Sequence, residues 1–354
     1  MRNYQSSSAA IDRNNSDDAT IAVGVVGIGQ QSWDNLMPSL SVARNVNITA
    51  VCDLDVARAG IAARNYGAEP FSDFHRMIEG VPLDAVIVAS HPDVHYDVLR
   101  VTLPARLPTF IEKPPTLTKA KLLDLIELNR DYRTVTAVGL NFSFTDPIKF
   151  VKSILAKPEF GHLQYVRISH LNNKPAEEDE LWGEVNYMRA FLLSQVIHPL
   201  GLLFDLGDDV AWTPEIQVRN SGDGLLVTVQ TQLLDRRNSR RFTADLIASS
   251  SSPFFNWHLE IIGSGGVIVD VNSLWEVEVY SKTHEGALID NPKWWRSTWR
   301  PSPLSGGFKR NGYEHQFAAF FEDIACDRRG PTSIEHMLPL YELMDRIEAT
   351  ATHE

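Results

Sequence analysis

A glutamate and a lysine directly behind a short apolar run are the first residues of this sequence that could do chemistry. They are Glu112 and Lys113 in the stretch FIEKPP, residues 110–115. A lysine can carry a proton near neutral pH when burial or a neighbouring cation lowers its pKa, or it can polarise an oxygen as a cation. The alternative is a turn lysine paired with Glu112. The strand-end position, with Pro114 fixing the next stretch of backbone, favours a preorganised role.

A glycine pair follows the first apolar run. In GVVGIGQQS, Gly27 and Gly29 stand at the end of a predicted strand, and Ser32 takes the place of the third glycine of a G-x-G-x-x-G pattern. Such glycines let the backbone approach a pyrophosphate, whose charge is held by amides at a helix N-terminus. We expect Ser32 to loosen the packing of helix against strand slightly. Alone, the pattern also fits a simple strand–helix turn.

An acid stands at the spacing that such a phosphate site requires. The second apolar run ends at Asp53, 24 residues after Gly29. A carboxylate there can bind both ribose hydroxyls of a dinucleotide and repel a 2′-phosphate. Asp53 therefore favours NAD(H), although the nearby Arg58 leaves NADP(H) open. The competing interpretation is that Asp53 caps the next helix.

The elements that position these residues follow from the hydrophobic pattern. In residues 20–142, apolar runs alternate with amphipathic segments, which predicts an α/β unit, a doubly wound Rossmann domain with a parallel sheet. Its predicted strands are Ile21–Val26, Val46–Cys52, Asp84–Ala89, Thr109–Ile111 and Thr134–Leu140. Its predicted helices are Val56–Tyr66, Val94–Val101 and Thr118–Arg130, the last with Thr118 as N-cap.

Residues 143–354 are richer in strands, which predicts an α+β domain with a large, mostly antiparallel open sheet. The predicted strands are Tyr165–His170, Glu215–Val218, Leu225–Leu234, Arg241–Ala248, His258–Ile262, Val267–Val271 and Glu276–Tyr280. The predicted helices are Ile148–Leu155, Tyr313–Cys326 and Ser333–Thr350. The serine run Ser249–Ser252 and the stretch NPKWWRSTWRPSPLSGG, residues 291–307, are predicted loops.

The ten residues NPKWWRSTWR contain three tryptophans and three cations. They could form an aromatic lid over a flat substrate, with Lys293 or Arg296 meeting an anionic group. We favour a hydrophobic flap that closes the sheet or contacts another subunit.

The overall composition excludes several classes of protein. A net charge of −12 opposes binding to nucleic acid and to anionic membranes. No apolar run reaches the roughly 18 residues of a membrane span. The two cysteines, Cys52 and Cys326, indicate buried thiols in a reducing compartment. Residues 1–19 are polar and lack the apolar core of a signal peptide, so we expect a disordered tail on a cytoplasmic protein.

Six stretches together resemble the Gfo/Idh/MocA family, the glucose–fructose oxidoreductase and inositol dehydrogenase-like NAD(P)-dependent oxidoreductases. They are AVCDLD, DAVIVASHPDVH, FIEKPPTLTKAKLLDLIE, AVGLNFSFTDP, PEFGHLQYVRIS and GYEHQFAAFFEDI. The resemblance implies a nicotinamide near the Glu-Lys-Pro segment and a small-molecule substrate between the two domains. It also implies a homo-oligomer, a dimer or tetramer, formed through the C-terminal sheet.

The resemblance further implies a cofactor site for NAD, with NADP as the alternative. Its expected residues are Gly27, Ile28, Gly29, Gln30, Gln31, Asp53, Leu54, Ser90, His91, Pro92, His95, Glu112, Lys113 and Asn141. His91 and His95 also have the i, i+4 spacing of a zinc pair. Because no third ligand is nearby and Pro92 lies between them, we predict no metal site.

The family's second catalytic element is a helix-borne D-x-G-x-H-x-x-D pattern, and the matching stretch here is SQVIHPLG, residues 194–201. The histidine remains as His198, whereas Ser194 and Gly201 stand in place of the two acids. An imidazole can donate or accept a proton near pH 7, so His198 is the predicted partner of Lys113. A packed core histidine is the alternative.

The missing acids leave several functions open. The leading prediction is an oxidoreductase that transfers hydride between nicotinamide and a sugar-like or cyclic alcohol or ketone. Lys113 and His198 are its catalytic candidates, and Tyr187 is a third, because a tyrosine near a lysine can relay a proton. Neutral groups such as Gln195 would suit a less hydroxylated substrate. The alternatives are an imine (C=N) reductase of specialised metabolism and a non-catalytic nucleotide-binding protein.

Overall fold

Two β-sheets carry the helices of this protein. A computed structural model describes residues 20–174, 182, 186–209, 214–220, 224–282 and 294–351. The predicted tail, residues 1–19, and Lys293 lie outside the described residues.

The first sheet is parallel and has the strand order of a dinucleotide-binding domain. Its strands are β1 (Ile21–Val26), β2 (Val46–Cys52), β3 (Glu69–Phe71), β4 (Ala85–Val88), β5 (Thr109–Ile111) and β6 (Thr136–Val138). They lie in the order β3-β2-β1-β4-β5-β6. The order reverses between β1 and β4, and ligands of such sheets bind at the carboxyl ends of the strands beside this point. The predicted Rossmann fold is confirmed.

Four described helices of this half begin after a capping side chain. A π-helical turn (Ser32–Leu36) leads into α1 (Met37–Ser41), followed by α2 (Val56–Tyr66), α3 (Phe74–Gly80), α4 (Pro92–Thr102) and α5 (Lys119–Tyr132). Thr118 accepts a hydrogen bond from the backbone N–H of Lys121 and caps α5 as predicted. Asp55 caps α2, so the capping interpretation of Asp53 is wrong. Strand β3 escaped prediction because it is three residues long and largely exposed.

The second sheet has nine strands and is mostly antiparallel, as predicted. Its strands are β7 (Leu163–Asn173), β8 (Gly207–Asp209), β9 (Glu215–Asn220), β10 (Leu225–Asp235), β11 (Arg241–Ser249), β12 (Ser251–Gly263), β13 (Ile268–Asn272), β14 (Glu276–Ser281) and β15 (Trp295–Trp299). The order is β15-β14-β13-β12-β7-β11-β10-β8, with β9 also paired to β10. Among the described strands of this sheet, β7 and β11 form the single parallel pair.

Five helices accompany this sheet in the chain. They are α6 (Asp146–Leu155), α7 (Tyr187–Phe191), α8 (Ile197–Leu206), α9 (Tyr313–Cys326) and α10 (Leu338–Ala351). A second π-helical turn, Leu192–Val196, joins α7 to α8. The span Tyr187–Leu206 is the one described helix that is long and apolar enough to cross a membrane, and 83% of its apolar window is buried within the protein. A core helix meets the same criteria, so this finding is weak evidence for a membrane span.

Two predicted loops contain strands, and the role of the aromatic stretch as a lid or as a flap stays a prediction. Trp295–Trp299 pairs with β14 as the edge strand β15. Trp299 stacks on Phe150 with ring centroids 4.7 Å apart, and Arg296 forms an ion pair with Glu278 on the neighbouring strand. Aromatic residues favour such half-buried pleated surfaces. Ser249 ends β11 and Ser251 begins β12, so the serine run is also mostly strand.

Helix α9 follows the second sheet in the chain but packs on the first. Its side chains Tyr313, Phe317 and Phe320 are buried in the cluster that contains Val25 and Phe110. The rings of Phe110 and Phe317 lie 4.8 Å apart between centroids. This packing brings Tyr313 to the carboxyl ends of the first-sheet strands. The predicted domain boundary at residue 142 remains a prediction. Helix α9 lies after this boundary in the chain but packs on the first domain.

A buried arginine ties α7 to α10 and to the chain just after Lys113. The Arg189 guanidinium donates to Asp345 and Glu348, at 3.0 Å each, and to the Leu117 carbonyl at 3.3 Å. It also lies 5.4 Å from the centroid of the Tyr341 ring. Charge-assisted hydrogen bonds to a buried guanidinium keep this ion cluster paired.

We predict that Arg189→Ala lowers the free energy of unfolding by about 3 kcal/mol, because it removes a buried cation from Glu348 and leaves Asp345 with Lys119 alone. Chemical denaturation of both proteins measures the difference. Arg130→Ala is the matched control, because Arg130 is 68% exposed and pairs only with Glu127 among the described residues; it should cost less than about 1 kcal/mol. Equal losses for the two variants would contradict this role of Arg189.

Candidate active site

An open cavity of about 570 Å³ lies at the carboxyl ends of the first-sheet strands and reaches α8. Its lining combines residues from both halves of the chain: Gly29, Gln30, Gln31, Asn35, Ala89, Ser90, Glu112, Lys113, Asn141, Phe142, His198, Asn311 and Tyr313. Eight of the expected site residues are therefore in its wall: Gly29, Gln30, Gln31, Ser90, Glu112, Lys113, Asn141 and His198. The structure brings Lys113 and His198 to the same cavity.

The glycine turn after β1 leaves its backbone open to this cavity. Gly27 has a φ of +85°, and a Cβ built on it would lie 2.2 Å from the Ala89 carbonyl oxygen, so a side chain there is excluded. A Cβ on Gly29 would meet no atom within 4 Å. Ser32 is fully buried and donates to the Gly27 carbonyl at 2.5 Å. The hydroxyl of Ser32 thus closes the turn, and the expected loosening of helix against strand stays a prediction.

Asp53 is fixed at the end of β2, next to the glycine turn. One carboxylate oxygen accepts from the Ile28 N–H at 2.7 Å, and the other accepts from the Asp55 N–H at 2.9 Å. Arg58 approaches the same carboxylate at 3.5 Å. Leu54 is 90% exposed and does not line the cavity, and Ile28 is buried. Backbone N–H groups therefore orient the Asp53 carboxylate, and Asp53 itself does not cap a helix.

These residues fit a dinucleotide. The open Gly29 backbone stands ahead of a helix start, and Asp53 follows the neighbouring strand, as a pyrophosphate and a ribose require. The side-chain oxygen of Asn141 is buried without a hydrogen-bond partner among the described residues, while its amide nitrogen donates to the Asn311 carbonyl at 2.6 Å. A buried acceptor of this kind needs a donor, which a carboxamide of the cofactor could supply.

His95 does not line the cavity but makes hydrogen bonds to the backbone of segments that do. Its Nε2 accepts a hydrogen bond from the Ser90 N–H at 3.0 Å, and its Nδ1 lies 2.9 Å from the Pro114 carbonyl oxygen. Because a carbonyl oxygen can only accept, Nδ1 is the donor in the second bond. Burial lowers the pKa of His95 to about 4, so the ring is neutral. His91 caps α4, and Pro92 is the first residue of that helix. The ring of His95 thereby fixes the turn after β4 against the Lys113–Pro114 peptide, which is cis.

Lys113 and His198 both have perturbed pKa values. Burial lowers the pKa of Lys113, Glu112 opposes this, and Lys174 adds to it. Its Nζ donates to the Ser194 carbonyl, in the second π-helical turn, at 3.2 Å. Burial, with smaller contributions from Lys113 and His170, holds the pKa of His198 well below its usual range. A cation with a lowered pKa beside a neutral imidazole can exchange one proton with a bound hydroxyl.

Glu112 is the acidic member of the cavity wall, and its side chain is 5% exposed. Burial raises its pKa, and the charge of Lys113 and hydrogen bonds from Tyr313 and Gln31 oppose that rise. Gly139 makes room for the carboxyl group, because a Cβ there would lie 2.8 Å from Oε1 of Glu112.

The wall near α8 is neutral and aromatic. Phe142 stacks on His198 with centroids 4.4 Å apart and an interplanar angle of 17°. Behind it, the Gln195 side-chain oxygen accepts from Asn172 at 2.7 Å and lies 3.3 Å from the His170 ring nitrogen. Burial lowers the pKa of His170 to about 4, so this ring is neutral as well. Among the described residues, the side chains of this wall offer hydrogen bonds and ring faces but no carboxylate.

The two positions that lack acids differ in their surroundings. The Ser194 hydroxyl is buried without a hydrogen-bond partner among the described residues. A Cβ on Gly201 would lie 2.7 Å from a methyl carbon of Leu140, so the apolar Leu140 side chain occupies the space of any larger residue. Restoring a carboxylate at residue 201 would displace Leu140.

Tyr187 lies apart from the cavity. Its hydroxyl oxygen is 2.6 Å from the Lys174 carbonyl oxygen and 2.6 Å from the Ser250 hydroxyl oxygen. It is absent from the cavity lining, as is Trp182, which packs against the core. A catalytic role for Tyr187 stays a prediction.

Sequence reasoning missed five residues of the wall: Asn35, Ala89, Phe142, Asn311 and Tyr313. A signal for Tyr313 was present in Gly312, which has a φ of +82° and whose Cβ would lie 2.4 Å from the Asn141 carbonyl oxygen. A glycine immediately before an amphipathic helix indicates such a close approach, but the sequence does not show which segment is approached.

Comparisons with known proteins agree with this geometry. Residues 21–140 match the family model described as "Oxidoreductase family, NAD-binding Rossmann fold". A crystal structure of a dehydrogenase from Chromobacterium violaceum is 32% identical, covers 95% of this chain and 96% of that one, and superposes with a TM-score of 0.87. Inositol 2-dehydrogenase from Salmonella paratyphi B is 25% identical over 225 residues, 60% of this chain and 67% of that protein.

Two more distant structures share the fold. An oxidoreductase from Agrobacterium radiobacter, solved with NAD+, L-tartaric acid and magnesium, is 17% identical and has a TM-score of 0.72, covering 94% of this chain and 97% of that one. A 3-ketoreductase from Actinomadura kijaniata, solved with NADP, is 17% identical and has a TM-score of 0.65, with the same coverage of 94% and 97%. The glycine turn, Asp53 and the Glu-Lys-Pro segment, together with these relatives, place the chain in the Gfo/Idh/MocA family of NAD-binding oxidoreductases.

Proposed function

We propose that this enzyme transfers hydride between a nicotinamide cofactor and the C–O carbon of a cyclic small molecule that carries few hydroxyl groups. The observation that carries this proposal is the meeting of Lys113 and His198 in one cavity with the open Gly29 backbone. When bound, the cofactor supplies the hydride exchange. The protein has to hold the substrate, move the hydroxyl proton and exclude water.

Lys113 is the proton carrier in this proposal. Its lowered pKa makes the neutral amine accessible, so Nζ can take the proton from a hydroxyl during oxidation and return it during reduction. The Ser194 carbonyl holds Nζ in place. His198 is neutral at physiological pH, and its ring orients the same hydroxyl by a hydrogen bond.

NAD(H) is the proposed cofactor. Asp53 stands at the end of β2 with both oxygens fixed by backbone N–H groups, which favours ribose hydroxyls over a 2′-phosphate. The nearest cation, Arg58, is already shared between Asp53 and Asp55.

We expect NADH to bind at least about tenfold more tightly than NADPH, because the Asp53 carboxylate repels a 2′-phosphate. Asp53→Ser should remove most of this preference by weakening NADH and strengthening NADPH binding. Fluorescence titration with each nucleotide measures both constants. Asp55→Ser is the control, since it deletes the same charge two residues away and retains a helix cap; a similar loss of preference in this variant would contradict the assignment.

We expect Lys113→Met to lower kcat by roughly a hundredfold or more while NADH affinity changes by less than about threefold, because the amine moves the proton whereas the glycine turn and Asp53 supply most of the proposed contacts to the dinucleotide. Steady-state kinetics and NADH titration on the same preparations test this. Lys149→Met, an exposed lysine on α6, is the control. A Lys113→Met enzyme that retains its kcat would exclude Lys113 as the proton carrier.

The substrate is proposed to be less hydroxylated than a sugar or an inositol. Ser194 and Gly201 replace two acids, Leu140 fills the space at Gly201, and Phe142 with His198 presents stacked ring faces. Carboxylates bind vicinal hydroxyl pairs well, whereas a neutral aromatic wall favours apolar ring surface. The same observations favour a second candidate function, the reduction of a cyclic imine, in which Lys113 would donate a proton to nitrogen.

A substrate panel separates these possibilities. With NADH, we expect turnover of cyclohexanone or of the cyclic imine 1-pyrroline at a kcat/KM at least about tenfold above that for a ketose, because the described side chains of the wall near α8 include no hydroxyl-binding carboxylate. NADH oxidation at 340 nm measures each rate. Preference for 1-pyrroline would select the imine reductase, and preference for the ketose, or for myo-inositol with NAD+, would overturn the proposed substrate class.

A cytoplasmic location and a homo-oligomer formed through the second sheet remain parts of the proposal.

A further inference from the structure

The buried carboxyl group of Glu112 receives hydrogen bonds from three directions. The Gln31 amide nitrogen lies 3.3 Å from Oε1, the backbone N–H of Lys113 donates to Oε2 at 3.2 Å, and the Tyr313 hydroxyl is the third donor. Gly139 leaves the space that the carboxyl group fills. Such a set of donors stabilises a carboxylate in an apolar surrounding, where an unpaired charge would be lost to protonation.

Further side-chain hydrogen bonds fix the positions of Gln31 and Tyr313. The Gln31 amide nitrogen donates to the Tyr313 hydroxyl at 2.5 Å, which directs the hydroxyl proton toward Glu112. The Gln31 side-chain oxygen accepts from Asn35 at 2.9 Å, and the Asn35 oxygen accepts from Asn311 at 2.7 Å. This chain of hydrogen bonds joins the first π-helical turn to the start of α9.

The charges that act on Lys113 are few. Among the described residues, Glu112 favours the charged amine and Lys174 opposes it. The histidines that its charge affects, His95, His170 and His198, are neutral at physiological pH because burial lowers the pKa of each. The charge of Glu112 therefore decides how far burial neutralises Lys113.

We propose that Tyr313 and Gln31 are positioning residues for the reaction: they hold Glu112 ionised beside Lys113 and thereby keep Lys113 a reversible proton carrier. This role rests on the proposed function only in its use of Lys113 for catalysis. Tyr313 acts through Glu112, so its removal changes the titration of a lysine that it does not itself protonate.

The expected direction follows from the contacts. Without the Tyr313 hydroxyl, Glu112 loses a donor and its pKa rises further, so the group is more often neutral near pH 7. Lys113 then loses its anionic neighbour while burial and Lys174 continue to act. The pKa of Lys113 should fall, and the acid limb of the kcat/KM profile for alcohol oxidation should move to lower pH.

The titration of Lys113 tests this without a substrate. Protein labelled with ¹³C at lysine Cε is titrated by NMR, and the Lys113 signal is assigned by its loss in Lys113→Met. Tyr313→Phe should move the Lys113 midpoint down by about half to one pH unit. Tyr341→Phe is the matched control, because Tyr341 is also fully buried and donates to the Thr116 carbonyl at 2.5 Å, away from the cavity lining. An unchanged midpoint in Tyr313→Phe, or an equal fall in Tyr341→Phe, overturns the proposal.

A second variant protects the test against misfolding. Gln31→Met keeps the length of a half-exposed side chain and removes one donor to Glu112 and one to Tyr313. It should move the Lys113 midpoint in the same direction, and an unchanged or raised midpoint overturns the proposal. A midpoint that falls in an enzyme without turnover of the substrate panel supports this inference and counts against the proposed function. Turnover of the panel together with an unchanged Lys113 midpoint in the variants supports the proposed function and overturns this inference.

Discussion

The burial of one carboxylate, Glu112 at the end of β5, is the constraint on which the site depends. A charge in that position persists only with hydrogen-bond donors around it, and its donors come from the glycine turn, from its own backbone neighbour and from α9. The return of α9 to the first sheet, which the Phe110–Phe317 contact secures, therefore places Tyr313 in the cavity wall as well as aromatic rings in the core. Gly139 serves the same carboxylate by leaving its space free.

Charge and neutrality are distributed unevenly across the cavity. The side near β5 holds Glu112 and Lys113, whereas the side near α8 holds neutral rings and amides. The π-helical turn Leu192–Val196 connects the two, since its Ser194 carbonyl fixes the Lys113 amine. π-Helical turns often occur at functional sites because they break the regular ladder of helix hydrogen bonds. This division lets the protein keep the family's lysine and histidine while presenting a different face to the substrate.

Prediction from sequence succeeded where local patterns act alone and failed where context decides. Strands β1 and β2 and helix α2 were predicted to the residue, because apolar alternation and breakers mark both ends of each. Trp295–Trp299 was predicted as part of a loop, yet pairing with β14 makes it a strand. The sequence also gave no reason to expect Ser32 to close the glycine turn.

The sequence by itself determined the Rossmann class of the first domain, the identity of the glycine turn, and the candidates Asp53, Lys113 and His198, since these depend on residue type and short spacing. Only the tertiary structure decided that Tyr313 and Gln31 meet at Glu112, although they lie 282 positions apart in the chain. It also decided that His95 is a support and that Tyr187 lies apart from the cavity. Hydrogen bonds between distant segments form only after the sheets and helices have packed, and no local pattern encodes their partners.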